Sequence, residues 1–186
     1  MRRLTLLMLT MLALGVIVGC NNKSKEGNVI APNAESGDTA SKDSTIYGKL
    51  IDGGMNSMIL LTDDGDTLEL LRNPEDTSEV VKGGIVPNDR YAVIAYTSYG
   101  DRFIRTAINI ESLKGNWSSL DRNFEIKDDG TVTSSVSSET NAWKNWEIYN
   151  GRLVLGHDTF TVDELGADSM LLENQQGIYA FKRGVK

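Results

Sequence analysis

The chain has 186 residues and sets 26 acidic side chains against 19 basic ones, a net charge of −7 with its single histidine neutral. That balance excludes a protein that rides on phosphate backbones, which requires clustered Lys and Arg. One cysteine excludes an intrachain disulfide framework, and three Pro with 18 dispersed Gly exclude collagen-like or low-complexity chains.

Residues 1–20 follow the order of a secretory signal. Met1, Arg2 and Arg3 form a positive start, Leu4 to Val18 an apolar stretch, and small residues lead to Cys20. The run is short for a spanning helix, which needs about 20 apolar residues, and it ends in Asn21, Asn22 and Lys23. The ending "IVGC" resembles the bacterial lipobox, whose cysteine is lipidated and becomes the mature N-terminus. The resemblance implies that Cys20 is a lipid attachment site, neither redox centre nor metal ligand. Two or more acyl chains such as palmitate anchor stably, so the implied address is the cell envelope, attached to a membrane. Asn21, where an inner-membrane Asp would stand, leans towards the outer membrane. Without the signal, 17 basic residues face 26 acidic ones, a net of −9.

Residues 21–44, "NNKSKEGNVIAPNAESGDTASKDS", contain no aromatic residue and one apolar pair, Val29-Ile30. Such a stretch buries too little surface to offset its ordering entropy and reads as a flexible tether.

Residues 45–111 read as strands, because short β-branched and aromatic runs alternate with Gly, Asn and Asp turns and no window sustains helical spacing. "SMILLT" and "TLELL" flank "DDGD", where Gly65 suits a tight hairpin. "VPNDRYAVIAYTSYGDRFIRTAINI" is a second hairpin, with Tyr91, Val93 and Ala95 on one face, a turn at Tyr99-Gly100-Asp101, and Arg102 and Arg105 as solvated edge charges. With "IYGKLI" these make about five strands and a longer connection from Asn73 to Pro87. That pattern suits a small OB-like or SH3-like barrel.

Residues 112–186 hold about eight short strands. Phe124 and Ile126 alternate before Asp129-Gly130, and Trp146 and Ile148 before Asn150-Gly151. Leu153 and Leu155, Phe160 and Val162, then Tyr179 and Phe181 follow. Consecutive strands joined by two-residue turns form an up-and-down meander, which removes its edges by closing into a barrel. The whole mature chain is therefore expected to be all-β.

The series "LKGNW", "F-x-I-x-x-D-G-T", "W-x-I-Y-N-G-R-L-V-L" and a closing aromatic strand resembles the compact lipocalin-like domains of two-domain bacterial lipoproteins of the Bacteroidetes type. The resemblance covers Leu113 to Lys182. It implies that Gly115 and Trp117 seal one end of the barrel, and that the barrel binds a small hydrophobic molecule. Lipocalins use a longer chain, so strands of about six residues imply a shallow barrel, filled or hollow. The pairing of domains also resembles envelope-sensing lipoproteins, but their Cys-x-x-Cys is absent, so copper sensing is not carried over.

Catalytic constellations are missing from the sequence. His157 is the one histidine, in the turn-like "LGHDTF", and no second His or Cys supports a zinc set. No G-x-S-x-G, P-loop or G-x-G-x-x-G stands in context, and "TDDGDT" and "KDDGT" lack the rest of an EF-hand loop. We expect no enzyme, cofactor or metal. Eight of the 13 aromatic residues lie from Trp117 onward, including all three Trp. Trp117 and Trp146 read as core. Trp143, at the end of "TSSVSSETNAW", reads as an exposed contact for a ligand or partner, with Tyr149 beside it at the barrel mouth. The expected functions are a barrel that binds a small hydrophobic ligand or, alternatively, a solid interaction or structural module with an envelope protein partner.

Overall fold

A computed structural model describes residues 42–135 and 142–184; Cys20 and most of the tether lie outside them. The first barrel comprises β1 (Ile46–Gly53), β2 (Ser57–Thr62), β3 (Thr67–Leu71), β4 (Val81–Lys82), β5 (Arg90–Ser98) and β6 (Asp101–Asn109). Its order is β3-β2-β1-β5-β6-β4, and a parallel contact of β3 with β6, Leu71 against Phe103, closes a five-stranded barrel of the OB kind. The turns form where the sequence places them. Gly65 has φ 93°, and Tyr99 and Gly100 at 52° and 93° form the two-residue turn between Ser98 and Asp101. Tyr91 and Val93 point into the barrel with Leu50, Met58, Leu60, Leu70 and Ile104, and Ala95 packs against them.

Two short elements escape the sequence reading. β4 lies in the expected Asn73–Pro87 connection and pairs with β6 in parallel, Val81 against Ala107. α1 (Ile110–Leu113) is one helical turn whose N-cap, Asn109, accepts from the Ser112 amide. Four residues are too few to show a helical period.

The second barrel runs β7 (Gly115–Ser118), β8 (Asn123–Ile126), β9 (Val132–Ser134), β10 (Trp146–Tyr149), β11 (Arg152–Leu155), β12 (Asp158–Leu165), β13 (Ser169–Asn174) and β14 (Gly177–Arg183). All eight pair antiparallel in the order β10-β11-β12-β13-β14-β7-β8-β9, a nearly closed meander. The gap narrows where the Val132 amide donates to the Lys144 carbonyl and the Trp146 amide to that of Gly130. Phe124, Ile126, Ile148, Leu153, Leu155, Phe160, Val162 and Phe181 all face the core. The expected alternation of each strand is therefore borne out.

Each barrel has its own core, and the outer side of the first barrel packs into the core of the second. Ala92, Ile108, Ile110 and Leu113, from the outer side of the first barrel and α1, belong to the cluster that fills the second. Around that seam the Tyr47 hydroxyl donates to the Ile148 carbonyl at 2.6 Å, and the Gly83 amide to that of Leu165 at 2.9 Å. The bond from Tyr47 covers the free edge of β10, an edge that would otherwise invite pairing. Asn109, buried, donates to the Asp89 carboxylate and the Tyr91 hydroxyl. Asp43 and Ser44, the end of the expected tether, are bound to the β10–β11 turn. The Asn150 amide donates to Asp43 Oδ1, the Ser44 amide and hydroxyl donate to Asn150 Oδ1, and the Gly151 amide donates to Thr45 Oγ1. Gly151 is required here: its φ is 69°, and a Cβ would stand 2.5 Å from Ile94 Cγ1 of the first barrel.

Candidate functional site

The barrel interior is the first place to look for a ligand, and side chains occupy it. β8 and β12 lie on opposite walls, half the strand order apart. Trp143 spans between them, with ring centroids 5.1 Å from Phe124 and 5.7 Å from Phe160, both edge-to-face. Phe181 stands 5.2 Å from Phe124, and Tyr179 5.5 Å from Phe160. These are optimal aromatic contact distances.

The expected exposure of Trp143 is therefore corrected: only 5% of the residue is accessible. Strand alternation counted back from Trp146 turns Trp143 outward, but β10 begins only at Trp146. The preceding residues run beside β9 as an irregular segment that swings the indole inward. Its Nε1 donates to Asp158 Oδ2 at 2.8 Å, and the Arg122 guanidinium lies 4.0 Å from the ring centroid. Tyr149 is half-buried and sits on β10 one residue from inward-facing Ile148, so alternation turns it to the opposite face. The structure thus does not bring Trp143 and Tyr149 together at a mouth.

Gly115 and Trp117 lie two residues apart on β7, the first strand of the second barrel. Gly115 has φ 118°, and a Cβ there would stand 3.0 Å from Arg183 Nη1. Trp117 is fully buried, donates from Nε1 to the Leu113 carbonyl at 2.8 Å, and carries the Arg183 guanidinium 4.1 Å from its ring centroid. Arg183 also donates to the Ser112 and Lys114 carbonyls, which ties α1 to β14. Burial pulls its pKa below the usual arginine value, partly offset by Asp168. The sequence reading missed Arg183; its place opposite Trp117 follows from the β14–β7 register.

Among the described residues, several grooves open on the surface. One of about 540 Å³ runs beside Leu120, lined by Ser118, Met170, Leu171, Ala180, Phe181 and Lys182. Another of about 300 Å³ lies on the other side of the same loop, against Ile178 and Tyr179. Leu120 is fully exposed and Ile178 is 64% exposed, an apolar pair at these grooves that sequence reasoning did not single out. A polar groove of about 600 Å³ sits at the first barrel, with Asp63, Asp64, Asp66 and Arg102. Arg105 is exposed but rests over the Tyr96 ring at 5.1 Å. His157 is exposed in the β11–β12 turn. Among the described residues, no group of three or more His, Cys, Asp or Glu is placed to hold a metal. Comparison of the chain with protein-family models, with curated proteins and with solved structures finds no match.

Proposed function

We propose that this chain is a non-enzymatic cell-envelope lipoprotein, anchored by lipid on Cys20, whose two solid barrels form a rigid interaction module for an envelope protein partner. The observation that carries this reading is the Trp143 cluster: rings from opposite walls touch through it, so side chains fill the space a small ligand would use. The packed seam of Ala92, Ile108, Ile110 and Leu113 adds to it, because a module that presents one surface gains from having no hinge between its halves. Gly115, Trp117 and Arg183 close one end of the barrel in this reading.

The lipobox and the acidic balance support an envelope address without nucleic acid. Cross-linking in intact envelopes tests the function. The proposal requires a stoichiometric protein partner; a chain that cross-links to nothing contradicts it.

A second reading, binding of a small hydrophobic ligand, has one observation in its favour. The Leu120 groove is apolar-lined, and its volume of about 540 Å³ falls within the range of small-molecule sites.

A further inference from the structure

The wall of the second barrel is incomplete beside β14. β14 spans seven residues, whereas β7, its neighbour, spans four and pairs with it only at Lys182–Ser118 and Arg183–Trp117. The Gly184 amide extends that pairing to the Asn116 carbonyl. Continued in register, Leu120 would face Ala180, but the chain turns away at Ser119, whose amide donates to the Arg122 carbonyl.

The direction of the β14 backbone groups follows from its other neighbour. The Arg183 amide donates to Asp168, and the two-residue turn pairs Asn174 with Gly177. Antiparallel alternation then commits the N–H and C=O of Phe181 and Tyr179 to β13 and aims those of Ala180 and Ile178 at the missing end of β7. Among the described residues these groups form a short open edge. Apolar surface flanks it: exposed Ile178 and Leu120, with Leu171, Ala180 and Phe181 in the grooves.

Resting on the interaction-module reading, we infer that this open edge of β14, from Ile178 to Ala180, is the docking site, and that it takes an extended, alternately apolar peptide strand of the partner protein. Alternating donors and acceptors are the complement of an extended backbone, and the apolar grooves receive every second side chain. Leu120 is fully exposed on the loop beside the edge and lines both grooves. From Ile178 to Ala180 the edge carries no charge, no Pro and no bulge.

Amide exchange on the full ¹⁵N-labelled chain in detergent micelles tests the inference, with a synthetic peptide of alternating Thr and Val and one Lys as probe. In the free chain the Ile178 and Ala180 amides exchange roughly tenfold or more faster than those of Tyr179 and Phe181, as solvent-facing edge groups should. The peptide slows the first pair and leaves the second unchanged. Ala180→Pro removes only an N–H that the barrel does not use and abolishes the effect. Ile178→Lys, at an exposed side chain, weakens it without touching the fold.

Equal protection of all four amides in the free chain overturns the inference, and so does peptide protection that survives both variants. Dimerisation that Ala180→Pro abolishes would assign the edge to a second copy instead. A stoichiometric partner cross-linked equally well by both variants overturns this site while leaving the interaction-module reading standing. A chain that cross-links to no partner removes that reading as well.

Discussion

The guanidinium carbon of Arg183 lies 4.1 Å from the centre of the Trp117 ring while two of its nitrogens donate to the Ser112 and Lys114 carbonyls. One side chain thus joins β14, β7 and α1. Truncation leaves those carbonyls without that donor and strips the ring of its cation. Arg183→Ala should cost about 2–4 kcal/mol, from charged hydrogen bonds and a partly desolvated cation–π contact. Urea unfolding reads this directly, and Arg183→Lys should recover only part of the loss because it lacks the planar fork.

Because Ala92, Ile108, Ile110 and Leu113 belong to the core of the second barrel, the two barrels should unfold together. Far-ultraviolet circular dichroism and Trp fluorescence, whose three reporters all lie in the second barrel, should give one coincident transition. Gly151→Ala should weaken the seam by more than about 1 kcal/mol, because the site has positive φ and Ile94 blocks the new methyl group.

Trp143→Ala should cost about 3–5 kcal/mol, the range for large aromatic truncations in a packed core. Trp143→Phe should restore much of it while losing the bond to Asp158. The indole emission of Trp143 should resist quenching by iodide, which an exposed residue would not.

Much of the fold was legible because strands with one buried face write a period of two into the chain. Phe124 and Ile126, Leu153 and Leu155, and Phe160 and Val162 all face inward as their spacing requires. Gly65, Gly130 and Gly151 mark turns because those positions need positive φ. Contacts between distant residues left no such trace. Nothing near Tyr47 announces Ile148, and nothing near Gly151 announces Ile94. Trp143 was misread because alternation was extended past the start of its strand. The open edge had a faint signal, the four residues of "GNWS" set against the seven of "GIYAFKR", but only the register shows that they are neighbours.

Asp43 gives the clasp at the tether root a pH dependence. Burial raises its pKa, but hydrogen bonds from the Thr45 hydroxyl and the Asn150 and Thr45 amides outweigh it and hold the pKa below 3.8. A carboxyl depressed in the folded state contributes stability above its unfolded pKa and loses it as pH falls through the folded value. The clasp should therefore contribute fully above about pH 3.8 and be lost only as pH falls through the lower folded-state value. The Asn150 amide chemical shift should titrate in that acid window, and Asp43→Asn should abolish the titration.

That the second barrel is solid is the central claim of the interaction-module reading, and native mass spectrometry of the full chain purified from its own cells measures it. A solid barrel gives the mass of the polypeptide, with N-terminal acyl groups if the proposed lipidation holds, and nothing else, under conditions in which a known lipocalin keeps its ligand. A reproducible extra mass that leaves on denaturation and persists in a Leu120→Ser variant would mean a hollow barrel and would contradict the filled interior described around Trp143, whereas a mass lost with that variant would place the ligand in the Leu120 groove.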